Sequence, residues 1–130
     1  MIVFFDLCIM KRLKIRLPEY AFPRNRWRKK IYDAINKKLR EKGERKIKFE
    51  KTELKLVLYF SRSKIKFIDV DNRLKDVMDA LQARWGSKIS KNNSIPLIKN
   101  DNTIYKVTVE KRIPPKQSKG LGHLIIQRMK

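Results

Sequence analysis

Four of the chain's 13 acidic residues lie in one short stretch, residues 69–81, although the whole chain carries 34 lysines and arginines. A surface selected only for positive charge would not gather its few carboxylates in one place. Hard divalent cations such as Mg²⁺ take oxygen ligands, typically one or two carboxylates together with waters and substrate phosphate oxygens. The acidic stretch therefore indicates a metal site on a strongly basic protein.

The spacing of these acids is compatible with a shared site. Asp69 and Asp71 are two residues apart, so an extended segment would project their side chains to the same side. Asp71, Lys75 and Asp79 follow at spacings of four, which places them along one edge of a helix. A metal bound there would polarise a phosphate group and lower the pKa of an attacking water. Lys75 would stabilise charge on the phosphate oxygens or orient the water.

The same residues also have a purely structural interpretation. Asp71 is a good N-cap, and Asp69 fits an acid in a loop. Lys75 fits an ion-pair partner for either Asp71 or Asp79. Two aspartates separated by one residue are a common pattern, so spacing alone leaves both interpretations open.

The stretch from Asp69 to Leu81 resembles the signature of the RusA family of Holliday junction resolvases, which reads D-x-D-N-x-x-K-x-x-x-D-x-L. Six positions match it: Asp69, Asp71, Asn72, Lys75, Asp79 and Leu81. The family's downstream acidic turn, which leads into a strand, is similar to residues 100–104. The resemblance implies a catalytic set of three aspartates and one lysine, carried by Asp69, Asp71, Asp101 and Lys75. The three aspartates would bind the metal, and Asp79 would have a supporting role.

The resemblance implies an activity as well as a site. It implies a Mg²⁺-dependent endodeoxyribonuclease, with Mn²⁺ able to substitute, that acts in DNA recombination and repair. It also implies a homodimer that nicks two strands of a four-way DNA junction. Two departures concern the third aspartate: the family often has paired acids where this chain has Asn100 and Asp101, and the stretch after Leu81 is longer than usual.

The charge of the chain indicates a polyanionic partner. A formal net charge of +21 on 130 residues destabilises the compact state by self-repulsion. Nucleic acid is the leading candidate, and an anionic membrane surface is the competitor. The candidate DNA contacts are basic residues close to the acidic stretch or on the first helix: Arg24, Arg26, Arg28, Lys29, Arg62, Lys64 and Lys66. Any one of them taken singly also fits a merely solvated surface.

Two alternatives to the junction resolvase follow. A non-catalytic basic nucleic-acid-binding protein would share the charge and would use the acids as caps and ion-pair partners. Another structure-selective nuclease would share the site but prefer a different DNA.

A single cysteine, Cys8, provides neither a disulfide framework nor a zinc cluster, which fits a reducing compartment. The apolar start, residues 1–10, is too short to span a bilayer and is expected to be part of the fold. We therefore expect a cytoplasmic protein without a membrane segment.

Residues 1–130 are expected to form a single domain, since 42% of them are hydrophobic and only four are glycine. Strict alternation predicts a strand over 12–17 that extends backwards into the apolar start. Apolar residues from Trp27 to Leu39 recur at helical spacing, and Gly43 is placed to end that helix. A central strand is predicted over about 53–60, a helix from the acidic stretch, and strands over 103–110 and 124–127.

This order predicts an α/β fold, a mixed β-sheet packed by two main helices. Trp27 and Trp85 fall on helical apolar stripes and are expected in the core rather than stacked on bases. Phe67 is expected in the core as well, although an aromatic beside the site is also a possible wedge between base pairs. His123 is expected to be a surface histidine in a loop.

Overall fold

A computed structural model describes residues 10–63, 65–67, 69–85, 95–116 and 121–129, without the side chains of Phe67 and Asp101. The expected packing of residues 1–9 and the candidate DNA contact Lys64 therefore lie outside the described residues. The burial expected for Phe67 lies outside them too. The first strand begins at Arg12, so Met10 and Lys11 precede it without belonging to it.

Six main elements follow one another in the predicted order. They are β1 (Arg12–Leu17), α1 (Arg24–Glu41), β2 (Thr52–Tyr59), α2 (Val70–Leu81), β3 (Ile104–Arg112) and β4 (Gly122–Arg128). Two short 3-10 turns, Ile65–Phe67 and Asp101–Thr103, precede α2 and β3.

The four strands form one mixed sheet in the order β1-β4-β2-β3. β4 is antiparallel to both β1 and β2, whereas β2 and β3 are parallel. The register aligns Leu56 with Leu124 and Val109, which places the large apolar residues of neighbouring strands on one face of the sheet. Both helices pack on that face in one core, and this confirms the predicted α/β fold with a mixed sheet and two helices.

The opposite face of the sheet is open and carries mainly polar side chains. Lys14 on β1, Lys55 on β2 and Thr108 on β3 are exposed there. β2 lies between two neighbouring strands and buries Leu54, Leu56 and Leu58, as expected for a central strand.

Helix α1 forms because its apolar residues recur on one face. Trp27, Ile31 and Ile35 are all completely buried, and the indole Nε1 of Trp27 donates a hydrogen bond to the carbonyl oxygen of Pro18 at 3.0 Å. The helix ends before Gly43, whose positive φ of 74° is readily accessible only to glycine. In the described part of the chain, neither helix is long and apolar enough to cross a membrane.

Three predictions need correction in detail. Trp85 is 5% exposed, which confirms its place in the core, but it follows the end of α2 and packs edge-on against Tyr32 at 4.8 Å. β3 and β4 are longer than predicted. Consequently His123 lies within a strand and not in a loop, half-buried, with Nδ1 3.3 Å from the hydroxyl of Tyr59.

Candidate functional site

The acidic stretch begins with a helix cap formed by Asp69. The backbone of Asp69 is extended (φ −86°, ψ 111°), and its Oδ1 accepts a hydrogen bond from the backbone N–H of Asp71 at 2.9 Å. Its Oδ2 accepts a second hydrogen bond, from the side-chain amide of Asn72 at 3.1 Å. Asp71 already lies in the first helical turn. Because the helix starts at Val70, the prediction of an extended segment from Asp69 to Asp71 is wrong. The prediction that Asp71 caps the helix is wrong as well, since Asp69 is the cap.

Asp69 and Asp71 lie exposed at the N-terminus of α2, and neither forms an ion pair with any residue that the structure describes. Lys75, one turn further along, is likewise exposed and unpaired among the described residues. The predicted ion pairs of Lys75 with Asp71 and with Asp79 are therefore not formed. Both carboxylates are therefore open to solvent at the start of α2 in a chain of net charge +21.

Asp76, on the same helix, has the opposite environment. It is completely buried, and its Oδ1 accepts hydrogen bonds from Nε of Arg24 at 3.0 Å and from Nε of Arg28 at 2.8 Å. Arg73 approaches Oδ2 at 3.4 Å. A buried carboxylate needs such partners because it loses its hydration. Our sequence analysis missed this cluster, although the spacing of Asp76 from buried Ala80, one turn away, places it on the core face.

Two candidate DNA contacts belong to this cluster. Arg28 also pairs with Asp79 at 3.3 Å, and its side chain is only 14% exposed. Arg24 keeps 35% of its side chain exposed and donates from an Nη atom to the carbonyl oxygen of Asn72 at 3.1 Å. Asp79 thus helps to hold α1 against α2, and its supporting role in the site stays a prediction. A contact between DNA and either arginine stays a prediction, and Arg24 has more surface to offer.

A third arginine of the cluster stacks on aromatic rings. The guanidinium of Arg73 lies 4.5 Å from the ring centre of Tyr20 and 5.4 Å from that of Trp27. Phe22, in the same loop as Tyr20, is 79% exposed. The N-terminus of α2 is therefore bordered by arginines and by the ring of Tyr20, which was not predicted as a site residue from the sequence.

The remaining candidate DNA contacts that the structure describes are exposed. Arg26 and Lys29 lie on the first turns of α1, and Lys29 pairs with Asp33 at 3.2 Å. Arg62 and Lys66 lie in the segment between β2 and α2, just ahead of Asp69. These residues thus lie on two separate segments, α1 and the segment ahead of Asp69, and a contact between any of them and DNA stays a prediction.

The third predicted metal ligand occupies a different position in the topology. Asp69 follows the end of β2, whereas Asp101 precedes the start of β3, and Ile104 pairs with Thr52, the first residue of β2. Because β2 and β3 are parallel, the two aspartates lie at opposite ends of this strand pair. The side chain of Asp101 lies outside the described residues, so its convergence with Asp69 and Asp71 stays a prediction.

Within the described residues there is no group of three or more His, Cys, Asp or Glu side chains that could hold a metal ion. The donors present nevertheless fit Mg²⁺, which usually takes one or two protein carboxylates and fills its other positions with waters and phosphate oxygens. The carboxylate of Asp71 accepts no hydrogen bond from a described residue, and Asp69 uses two of roughly four lone-pair sites to accept hydrogen bonds.

His123 does not belong to this site. It lies on the open face of the sheet, directly opposite Arg16 on β1. Partial burial lowers the pKa of His123 below its ordinary value, and the charges of Lys14 and Arg112 lower it further.

Comparisons with protein-family models and with curated proteins found no match to this chain. The interpretation of the site consequently depends on its residues and geometry.

Proposed function

We propose that this chain is a Mg²⁺-dependent, structure-selective endodeoxyribonuclease of the RusA type, which resolves four-way DNA junctions by paired nicking. Mn²⁺ would substitute for Mg²⁺, and the protein would act as a homodimer in the cytoplasm, in DNA recombination and repair. The observation that carries the proposal is the exposed pair Asp69 and Asp71, which has no basic partner among the described residues of a protein with net charge +21.

Each residue of the proposed site has a defined task. Asp69 and Asp71 would hold the metal, and Asp101, which lies at the other end of the β2–β3 pair, would complete the set from a second copy of the chain. The bound ion would supply Lewis acidity for phosphodiester hydrolysis and would favour deprotonation of the attacking water. Lys75, exposed one turn along α2, would donate to phosphate oxygens on which negative charge develops.

The basic residues around the pair would bind the DNA backbone. Arg24, Arg26 and Arg62 would contact phosphates and thereby set the position of the scissile bond. The remaining predicted contacts, Arg28, Lys29, Lys64 and Lys66, would add to the same electrostatic surface. Because these contacts are made to phosphates, selectivity for a four-way junction would come from its shape.

One observation favours the non-catalytic alternative. Both carboxylate oxygens of Asp69 accept hydrogen bonds that start α2, so a structural reason for this aspartate exists without any metal. The carboxylate of Asp71 has no described partner, and its structural contribution is limited to a favourable negative charge in the first turn of α2. Asp71 is therefore the residue that separates a nuclease from a basic protein that only binds nucleic acid.

The decisive experiment compares cleavage and binding for Asp71→Asn. The nuclease proposal expects that cleavage of a four-way junction with Mg²⁺ is lost while junction binding persists or tightens, because a negative charge facing phosphate has been removed. Glu50→Gln is the matched control, since Glu50 is exposed, has no described partner and precedes the opposite end of β2. It should leave cleavage unchanged.

Two further results would show that one of the alternative functions is correct. If the unmodified protein binds junctions but never cuts them with Mg²⁺ or Mn²⁺, the non-catalytic alternative is correct. If it cuts flaps or linear duplexes better than four-way junctions, the site is that of a nuclease with a different DNA preference.

A further inference from the structure

Among the described residues, the strand β3 forms an edge of the sheet. It pairs there with β2 on one side only, Ile104 and Val109 pack against the core, and residues 105–108 are exposed without interruption. The other edge strand, β1, instead alternates strictly between exposed and buried residues. Tyr105 is 60% exposed and Val107 39% exposed. A nine-residue edge with exposed apolar side chains is a template for pairing with another strand, unless something protects it.

The direction of the backbone groups defines what the edge offers. The carbonyl oxygen of Arg112 accepts a hydrogen bond from the N–H of Phe60, so Arg112 turns its backbone groups towards β2. Successive residues of a strand direct their backbone N–H and C=O groups to opposite sides. Thr108 therefore directs these groups to β2, as Arg112 does, whereas Val107 and Val109 direct theirs to the free edge.

The charges of β3 are complementary to those of a second copy in one register. In an antiparallel pair centred on Thr108, Val107 lies opposite Val109 of the second copy, and their outward backbone groups meet. Lys106 then lies opposite Glu110 of the second copy, and the two-fold axis repeats this pair. Opposite charges placed directly across an antiparallel ladder are stabilising, whereas like charges are destabilising.

Neighbouring registers lose this complementarity. A pair centred on Val109 would place Lys106 opposite Arg112, two like charges. A pair centred on Val107 would leave Lys106 opposite the uncharged Thr108. We propose that β3 pairs with β3 of a second copy of this chain, antiparallel and in register about Thr108, to form a continuous eight-stranded sheet.

The ion pairs that these residues make within one chain do not prevent this. Lys106 contacts Glu53 at 3.7 Å and is 60% exposed, and Glu110 contacts Arg112 at 2.8 Å and is 48% exposed. The Glu110–Arg112 pair is exposed on both sides and contributes little to stability, and Lys106 is the exposed member of its pair with the buried Glu53, so Lys106 and Glu110 can both turn to a partner strand. Glu53 would keep its hydrogen bond from Gln127.

The proposed interface would bring two copies of the acidic pair to one side of the assembly. A two-fold axis perpendicular to a continuous sheet keeps the helix-covered faces of both copies on the same side. The two Asp69–Asp71 pairs would therefore face one DNA molecule, which suits paired nicking. This consequence depends on the proposed function, whereas the pairing of the strands does not.

Disulfide trapping tests the register without DNA or metal. Across an antiparallel ladder, the non-hydrogen-bonded pair formed by Thr108 and its symmetry mate would have its Cα atoms about 4.5 Å apart, within the range that a disulfide spans. Thr108→Cys in a Cys8→Ser background should therefore oxidise to a covalent dimer. Lys55→Cys in the same background is the control, because Lys55 is exposed on the same face but one strand further in, beside Thr108. It should stay monomeric under the same oxidation.

A charge exchange, measured by analytical ultracentrifugation, tests the pairing independently. Lys106→Glu and Glu110→Lys should each raise the dimer dissociation constant roughly tenfold or more, since each places like charges opposite each other twice. The double variant should restore the original value, because 106 and 110 are too far apart to interact within one strand.

A monomeric wild type, equal cross-linking of both cysteine variants, or a double variant as weak as the singles would overturn the proposal. A monomer that still cuts junctions would leave the nuclease proposal intact, and a dimer that never cuts would leave this interface intact.

Discussion

Arg28 on α1 donates a hydrogen bond from Nε to Oδ1 of Asp76 on α2 at 2.8 Å, and the carboxylate that accepts it is completely buried. This contact joins the two helices beside the acidic pair. Arg24 and Arg73 approach the same carboxylate, so Asp76 contacts three guanidinium groups, and only Arg28 among them has a second carboxylate partner, Asp79, among the described residues.

Removing that negative charge should therefore destabilise the fold. We expect Asp76→Asn to lower the free energy of unfolding by about 3–5 kcal/mol, the cost of breaking a buried ion pair by deleting one partner. Urea denaturation measures the effect. Asp33→Asn, which removes the exposed partner of Lys29, is the control and should change stability by less than about 1 kcal/mol. An Asp76 variant as stable as this control would show that the arginines do not need the carboxylate.

Asp69 combines a capping role with its proposed metal role, and two substitutions separate them. Asn and Asp cap helices equally well, so Asp69→Asn should keep the stability of the fold while junction cleavage is lost. Asp69→Ala should in addition lose about 1 kcal/mol of unfolding free energy, because the N–H of Asp71 loses its acceptor. Full cleavage by a stable Asp69→Asn protein would leave Asp69 with the cap as its only role.

The sequence predicts the framework of the fold because each element carries its own periodic signal. Leu13, Ile15 and Leu17 alternate with basic residues, and all three are buried on β1 as expected. The helical spacing of the apolar residues from Trp27 to Leu39 likewise predicted α1. His123 was misplaced because the glycines before it suggest a loop, and only the pairing of β4 with two neighbours shows that it belongs to a strand.

The candidate site is predictable only in part, since its contacts join distant segments. The spacing of Asp69, Asp71 and Lys75 is local and was read from the chain. Arg24 and Asp76 are 52 residues apart, and no local pattern states that they meet. Whether Asp69 or Asp71 caps α2 depends on the residue at which the helix starts. The sequence predicts that residue less accurately than it predicts the helix itself.

Lys75 should affect catalysis and not folding. It is exposed and has no described partner, so Lys75→Ala should leave the unfolding free energy within about 0.5 kcal/mol of the wild type. Loss of one positioned charge-stabilising group typically slows the chemical step roughly 10²–10³-fold. Single-turnover cleavage at saturating protein measures this. Lys37→Ala, an equal charge change at an exposed position on α1, should cleave at the wild-type rate.

His123 should make stability depend on pH near neutrality. Burial first, and the charges of Lys14 and Arg112 second, hold the pKa of folded His123 below its value of about 6.5 in an unfolded chain. The unfolded state therefore binds the proton first, and stability should fall as pH drops through about 6.5 towards the folded pKa. Urea midpoints at pH 7.5 and 5.5 measure this loss. It should be smaller in His123→Gln, and an equal loss in both proteins would show that another group is responsible.

Substitutions of Arg26 and of Arg28 should differ in their effects on nucleic-acid binding and on stability, although both residues lie on α1. Binding to nucleic acid should weaken by about 10³–10⁵ between 50 and 200 mM salt if six to ten phosphates are contacted. Arg26 is exposed and makes no described ion pair, so Arg26→Ala should reduce the slope of log affinity against log salt by about 0.9 without changing stability. Arg28 is held by Asp76 and Asp79, so Arg28→Ala should lower the free energy of unfolding and leave more of the slope intact.

A binding constant that does not respond to salt would contradict the inference of a polyanionic partner. A larger slope change for Arg28→Ala than for Arg26→Ala would show that the buried arginine turns outward to the DNA.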